Sequence, residues 1–208
     1  MKKYIFMFAM AGLGLSVFAA APSKKIKKST EVSYKVDVAA STFKWHAKKV
    51  TGAHSGTVNF GSGTISFLNN LLAKAVIIMD MKTIEVTDLT GEYHDKLVNH
   101  LKGEDFFSVQ KYNTAVLTVK SASPIAGAAA GSENYTIVAD LTIKGITKEV
   151  LFSAMISVNA KQVIVNADFD IDRTDFDIRY SSGKFFEGLG DKAIMDKFNI
   201  KVRVVANK

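Results

Sequence analysis

The stretch Tyr135-Thr136-Ile137-Val138-Ala139-Asp140-Leu141-Thr142-Ile143 decides the fold class. Its odd positions are all apolar, and Thr136, Asp140 and Thr142 lie between them, so the side chains repeat every two residues. A helix would space its apolar residues three or four apart; alternation at two marks a strand with one dry face. The same reading extends outward in both directions. Ala73, Ala75, Ile77, Met79 and Met81 alternate with a face carrying Lys74 and Asp80. Val150, Phe152, Ala154, Ile156 and Val158 repeat the pattern, as do Val163, Val165, Ala167, Phe169 and Ile171 against Asn166, Asp168 and Asp170. Phe198, Ile200, Val202, Val204 and Ala206 close the series against Asn199, Lys201 and Arg203. A slip of one residue would turn any of these sets to solvent, so register is strongly specified.

Between the strands the punctuation is short. Strands are predicted near Tyr34 to Val38, through Phe43, Trp45 and Ala47, and through Val58 and Phe60. Gly61-Ser62-Gly63 reads as a turn before Ile65 and Phe67, Asn69-Asn70 as another, and Lys144-Gly145 as a hairpin turn. Gly127 to Gly131 is a flexible turn, and Ser181 to Lys197 a looser region with a short helix near Lys192 to Lys197. One clear helix begins near Thr90. Leu89, Tyr93, Leu97 and Leu101 recur every four residues, Glu92 stands in the first turn, and Gly103 follows His100 and Lys102 as a stop. This helix and the Phe106-Phe107-Val109 knot are placed to cap one end. About eight or nine evenly spaced strands joined by hairpins predict an all-β antiparallel sandwich or barrel. Long strands favour closure, which removes the exposed edge.

The ends of the chain bound its class. Met1-Lys2-Lys3, an apolar run from Tyr4 to Val17 and then Phe18-Ala19-Ala20-Ala21-Pro22 read as a signal peptide over residues 1–20, cleaved after Ala19 or Ala20. The apolar run is shorter than the roughly twenty residues a spanning helix needs. Residues 21–32, with Lys24, Lys25, Lys27 and Lys28, form a basic disordered leader, and 33–208 the single folded domain. The expected location is periplasmic or secreted. There is no cysteine, so the fold relies on its core alone. The formal charge of +7 is concentrated in the signal and leader, which argues against a nucleic-acid partner and leaves peripheral contact with anionic lipid, or a plain spacer, as the use of the lysines.

An eight-stranded barrel is wide enough either to be filled by its own side chains or to hold one slender ligand. The dry faces mix rings with alanines, and that composition fits a lined tunnel as well as a filled taper. If there is a tunnel, its lining is expected from Phe43, Trp45, Phe60 and Phe67 in the first half, and from Ile77 and Met79. Ala139, Leu141, Phe152, Ala154 and Phe169 complete it from the later strands. Such a lumen takes a long apolar chain, because transfer from water scales with the area inserted.

Several runs resemble the YceI-like polyisoprenoid-binding proteins, which are exported lipocalin-like barrels. They are Tyr34-Lys35-Val36-Asp37 with Ser41 and Trp45, Gly52-Ala53-His54-Ser55-Gly56, His100 through Phe107, Leu141 through Lys148, and Ile171 through Phe176, in the family's order and across nearly the whole mature chain. The resemblance implies an extended antiparallel eight-stranded lipocalin-like barrel with one inserted helix. It also implies an isoprenoid tail in the lumen, from a polyprenyl phosphate or a quinone, and often a homodimer. Gly103, Ser108, Asn113 and Asp177 depart from the family's usual residues. Asp177 stands where glycine is usual, at a position that asks for a special backbone angle.

Polar candidates are few. His54, His100 and Arg173 are the headgroup candidates; a turn-stabilising bond for His54, and pairing of His100 and Arg173 with Asp105 and Asp175, are the structural alternatives. His46 and His94 read as surface residues. Four histidines without close spacing make no zinc motif, and Asp168, Asp170 and Asp172 lack the glycine of a calcium loop, so neither metal nor cofactor is expected. No nucleophile elbow and no cysteine nucleophile exist, so no catalytic residue is assigned. Three functions stand: an exported binding protein for a long-chain lipid, a hydrolase or isomerase acting on an amphiphile at the barrel mouth, and a filled barrel with a stress-related structural role.

Overall fold

The computed structural model describes residues 30–208; the expected signal peptide and most of the leader lie outside the described residues. Nine strands form one antiparallel sheet. They are β1 (Glu31–Val36), β2 (Thr42–Lys49), β3 (Gly52–Leu68), β4 (Leu71–Val86), β5 (Thr114–Pro124), β6 (Tyr135–Ile143), β7 (Ile146–Val158), β8 (Gln162–Asp172) and β9 (Ile194–Asn207), with one helix, α1 (Gly91–Lys102), after β4. Their order is β1-β3-β2-β9-β8-β7-β6-β5-β4, and the β3–β4 pairing closes the ring.

Nine segments make an eight-strand barrel because β1 and β2 share one place. β1 pairs with the end of β3 and with Ala206 and Asn207 of β9, while β2 pairs with the start of β3 and with Ile194 to Arg203. The chain leaves the ladder between them, and Ser41 repairs the gap. Its hydroxyl accepts from the Val205 N–H at 2.9 Å and donates to the Asp37 carbonyl at 2.6 Å. The strand begins at Glu31, two residues before the expected start of the folded domain at 33.

The longest strands turn their dry face partway. In β3 the inward residues are Gly56, Val58 and Phe60, then Ile65 and Phe67, so the inward side changes from even to odd. The ladder to β4 shifts between Phe60 and Ser62, which makes Gly61-Ser62-Gly63 a bulge inside a continuous 17-residue strand and not the expected turn. A second shift at Ser66/Phe67 puts Leu72 inside in place of Ala73. Val158, expected on a dry face, is exposed at the end of β7. The expected short helix near Lys192 to Lys197 is instead a single tight turn at Gly190–Lys192 followed by β9.

The hairpin turns do carry the angles their residues allow. Asn69 and Asn70 have φ of 51° and 66°, and Lys144 and Gly145 have 51° and 74°, the left-handed pairs that join strands with matching twist. Helix α1 buries Val98 and Leu101, with Leu97 partly covered, whereas Tyr93 is 74% exposed. Its face runs through His94, so the spacing of four from Leu89 misplaced Tyr93. His94 clamps the helix to β4 through Glu85 and also meets Asp95 at 2.8 Å.

Candidate functional site

The barrel is hollow. Its lumen holds two compartments of about 120 and 100 Å³. A single water needs only about 10–15 Å³ by the same measure. The upper compartment lies at the helix end, bounded by Trp45, Met81, Ile84, Leu101, Phe106, Phe107 and Phe198 among others. The lower one is bounded by Phe60, Ile77, Leu117, Phe152 and Phe169 among others. Phe43, Met79, Ala115, Leu141 and Ile200 border both, forming a waist. No polar atom opens onto the upper compartment and almost none onto the lower.

Eight of the eleven expected lining residues reach this lumen: Phe43, Trp45, Phe60, Ile77, Met79, Leu141, Phe152 and Phe169. Phe152 and Phe169 stack at 4.3 Å in the lower wall, and Phe43 meets Phe60 edge-on at 6.4 Å near the waist. Phe67, Ala139 and Ala154 do not border either compartment. Phe67 packs edge-on against Tyr34 at 6.1 Å, and the Tyr34 hydroxyl donates to the Asn159 carbonyl at the β7–β8 turn, so these rings seal the floor. Ala139 lies between Ile137 and Leu141 on one face of its strand, and Ala154 between Phe152 and Ile156. Longer neighbours on both sides leave each methyl fully buried.

Gly56 makes room for the indole of Trp45. A Cβ there would lie 1.8 Å from the Glu85 carbonyl oxygen and 2.5 Å from Trp45 Cζ2. The glycine is demanded by close approach, and the sequence signal was a bare Gly-x-x-x-Gly around His54. The Trp45 indole N–H is buried without a hydrogen bond.

The three headgroup candidates do not converge. His54 Nδ1 lies 2.8 Å from Asp88, whose other oxygen accepts from the Ser55 N–H at 2.8 Å. Burial opposes ionisation of Asp88, but these two bonds outweigh it and hold its pKa below the usual value. His100 pairs with Asp105 at 3.0 Å and packs against the rings of Phe106 and Tyr180. Neither histidine borders the lumen. Arg173 does, yet four of its five donors are taken. Nε donates to the Met195 carbonyl, Nη1 to those of Ile178 and Tyr180 at 3.0 and 2.8 Å, and Nη2 to that of Ile194 at 3.1 Å. Nη2 also lies 3.3 Å from Asp196, so the ion pair forms with Asp196 and not with Asp175. Four of the five guanidinium N–H groups bind these carbonyls, and Asp196 balances the charge with its Oδ1 buried and without a hydrogen bond. Arg173 staples the Ile178–Ile194 segment to the start of β9, a role hidden in sequence because carbonyl acceptors carry no side-chain signature.

Asp177 has φ 57° and ψ 35°, a left-handed angle that a glycine would adopt without strain. Asp168 is held by Lys201 and Asn199, Asp170 by Asn199, and Asp172 by Thr174 and Lys184, so the alternating acids are engaged with neighbouring side chains. Among the described residues no group of three His, Cys, Asp or Glu side chains could hold a metal.

A closed antiparallel barrel with an apolar, two-compartment lumen and a helical cap defines a lipocalin-like class. Within it, the sequence model of the YceI-like domain matches residues 34–206, and the chain belongs to that family. Solved structures of the same fold include BcnA from Burkholderia cenocepacia, 21% identical with a TM-score of 0.65 over 82% of this chain and 99% of that one. A polyisoprenoid-binding domain from Saccharophagus degradans is 16% identical with a TM-score of 0.59, covering 84% and 97%. A mutant CJ YCEI protein gives 19% identity and a TM-score of 0.52 over 100% and 99%. At these identities the likeness concerns the fold. No curated protein gives a significant match.

Proposed function

We propose that the protein is an exported carrier that holds the tail of an isoprenoid or another long-chain lipid inside the barrel. The observation that carries this reading is the waist: Phe43, Met79, Ala115, Leu141 and Ile200 border both compartments, so a slender chain reaching from cap to floor needs only these side chains to part. Each buried methylene contributes about 0.8 kcal/mol, so roughly ten buried carbons reach the micromolar range before ordering costs. No polar contact is needed for that, and the lumen offers next to none. A charged or quinone headgroup therefore stays outside while the tail enters. The polyisoprenoid-binding relative supports an isoprenoid among the possible lipids. Binding rather than catalysis fits a lumen without titratable groups other than Arg173, which is held by four backbone carbonyls. Export rests on the signal peptide read in residues 1–20.

The test is uptake. Protein stripped of lipid by organic extraction and refolded is titrated with a fluorescent long-chain isoprenoid and with its short, water-soluble headgroup analogue. Saturable binding of the first and none of the second is the expected result. Equal binding of both, or of neither, removes the carrier reading.

A further inference from the structure

Most exposed large apolar side chains among the described residues lie on the outer wall or at strand ends. Tyr180, Phe185, Phe186 and Met195 are different: they are 40%, 44%, 49% and 45% exposed and belong to one segment after the Arg173 turn. That segment is firmly built. Ser182 is fully buried, its carbonyl accepts the Phe185 and Phe186 N–H groups, and the Ile194 N–H donates to the Ser181 carbonyl at 2.9 Å. Arg173 binds the carbonyls on both sides of it. The aromatic rings are thus presented to solvent by a fixed frame.

The same segment forms the upper wall of the lumen. Ile178, Ile194 and Met195 border the upper compartment, and Met195 is also half open to solvent, which marks the mouth. Beside it, His100, Phe106 and Tyr180 form a three-ring seam, with His100 4.9 Å from Phe106 and 4.6 Å from Tyr180, and Phe106 5.5 Å from Tyr180. Phe106 faces the lumen, and Tyr180 faces an outer depression with Phe186 and Leu189, rimmed by Glu104, Asp105, Asp177, Lys144 and Arg179. The charges of the segment nearly balance: Arg179, Lys184 and Lys192 against Glu187 and Asp191.

We propose that Arg179 to Met195 docks on the surface of a lipid bilayer, setting the Phe185–Phe186 pair into the headgroup layer so that a tail passes beneath Met195 without crossing water. The proposal rests on the carrier reading. Rings of this kind sit well at a membrane interface, and a nearly balanced patch attaches through burial of apolar area and not through charge. Docking is therefore insensitive to salt and needs no anionic lipid, unlike contact through the lysines of the leader.

The experiment uses the full mature chain, the double variant F185S/F186S, and L151S, which removes an exposed leucine from the outer wall of β7. Each is floated with phosphatidylcholine vesicles at low and high salt, and each is loaded with a fluorescent isoprenoid from vesicles and, separately, from detergent. The wild type and L151S are expected to float at both salts. F185S/F186S is expected to lose about tenfold in bound fraction and in transfer from vesicles, with loading from detergent unchanged. Flotation of F185S/F186S equal to wild type overturns the proposal. So does wild-type binding that requires anionic lipid and dissolves in salt, or a change of oligomeric state in F185S/F186S, which would assign the face to a second copy. Failure of all three proteins to load from detergent would instead remove the carrier reading.

Discussion

Met79 on β4 and Ala115 on β5 are direct cross-strand partners, and both border the upper and the lower compartments. On this side the waist is one long flexible side chain beside a methyl group. Ala115→Phe is expected to fill it and divide the lumen. Isoprenoid uptake should fall at least about tenfold, while stability changes by less than about 2 kcal/mol, because the ring enters open space and not packed core. Titration with a fluorescent isoprenoid alongside urea unfolding checks both; unchanged affinity would remove Ala115 from the ligand's path.

Gly56→Ala is expected to cost about 3 kcal/mol or more, since its Cβ meets the Glu85 carbonyl oxygen at 1.8 Å and the Trp45 ring at 2.5 Å. Gly61→Ala, whose nearest atom would be 3.6 Å away, is the matched control and should change stability by less than about 1 kcal/mol. Urea midpoints of the two variants settle the comparison.

These two glycines also show what the sequence reveals and what it hides. The unbroken alternation of β6 was legible because every odd position from Tyr135 to Ile143 is buried in fact. β3 was not, because a bulge and a turn use the same glycines, and only the partner strand distinguishes them. Phe60 pairs with Met79 and Ser62 with Ile78, and that one-residue offset is invisible locally. The sharing of one barrel place by β1 and β2 is likewise nonlocal, depending on Ala206 at the far end of the chain. For the site, the period located the inward face of Ala139 and Ala154 but not their depth. Depth depends on the reach of neighbours such as Ile137 and Phe152.

Arg173→Ala is expected to destabilise by about 3–5 kcal/mol, leaving one buried and three partly buried carbonyls, and Asp196, without their cation. Hydrogen exchange should rise first between Ile178 and Ile194. A variant of normal stability with weakened lipid binding would instead make Arg173 a headgroup contact.

The clamp between α1 and β4 is expected to depend on pH in a defined window. The hydrogen bond from His94 holds the Glu85 carboxyl below its ordinary value of 4.5, and Asp95, then Glu85, raise His94 above 6.5. A depressed acid stabilises above its unfolded value and loses that contribution as pH falls through its folded one. A raised histidine stabilises below its unfolded value and loses that contribution as pH rises through its folded one. The clamp is complete from pH 4.5 to 6.5 and weakens on both sides. Amide exchange across Gly91–Lys102 should be slowest in that window, and His94→Gln should abolish the alkaline limb.

The most direct measurement of the central claim is a native mass spectrum of the protein purified, without added lipid, from its own host. A non-covalent mass of an isoprenoid or comparable long-chain lipid, lost on organic extraction and regained when that lipid is added back, is the expected result. A single ligand-free mass that stays unchanged when long-chain isoprenoids are supplied would contradict the account.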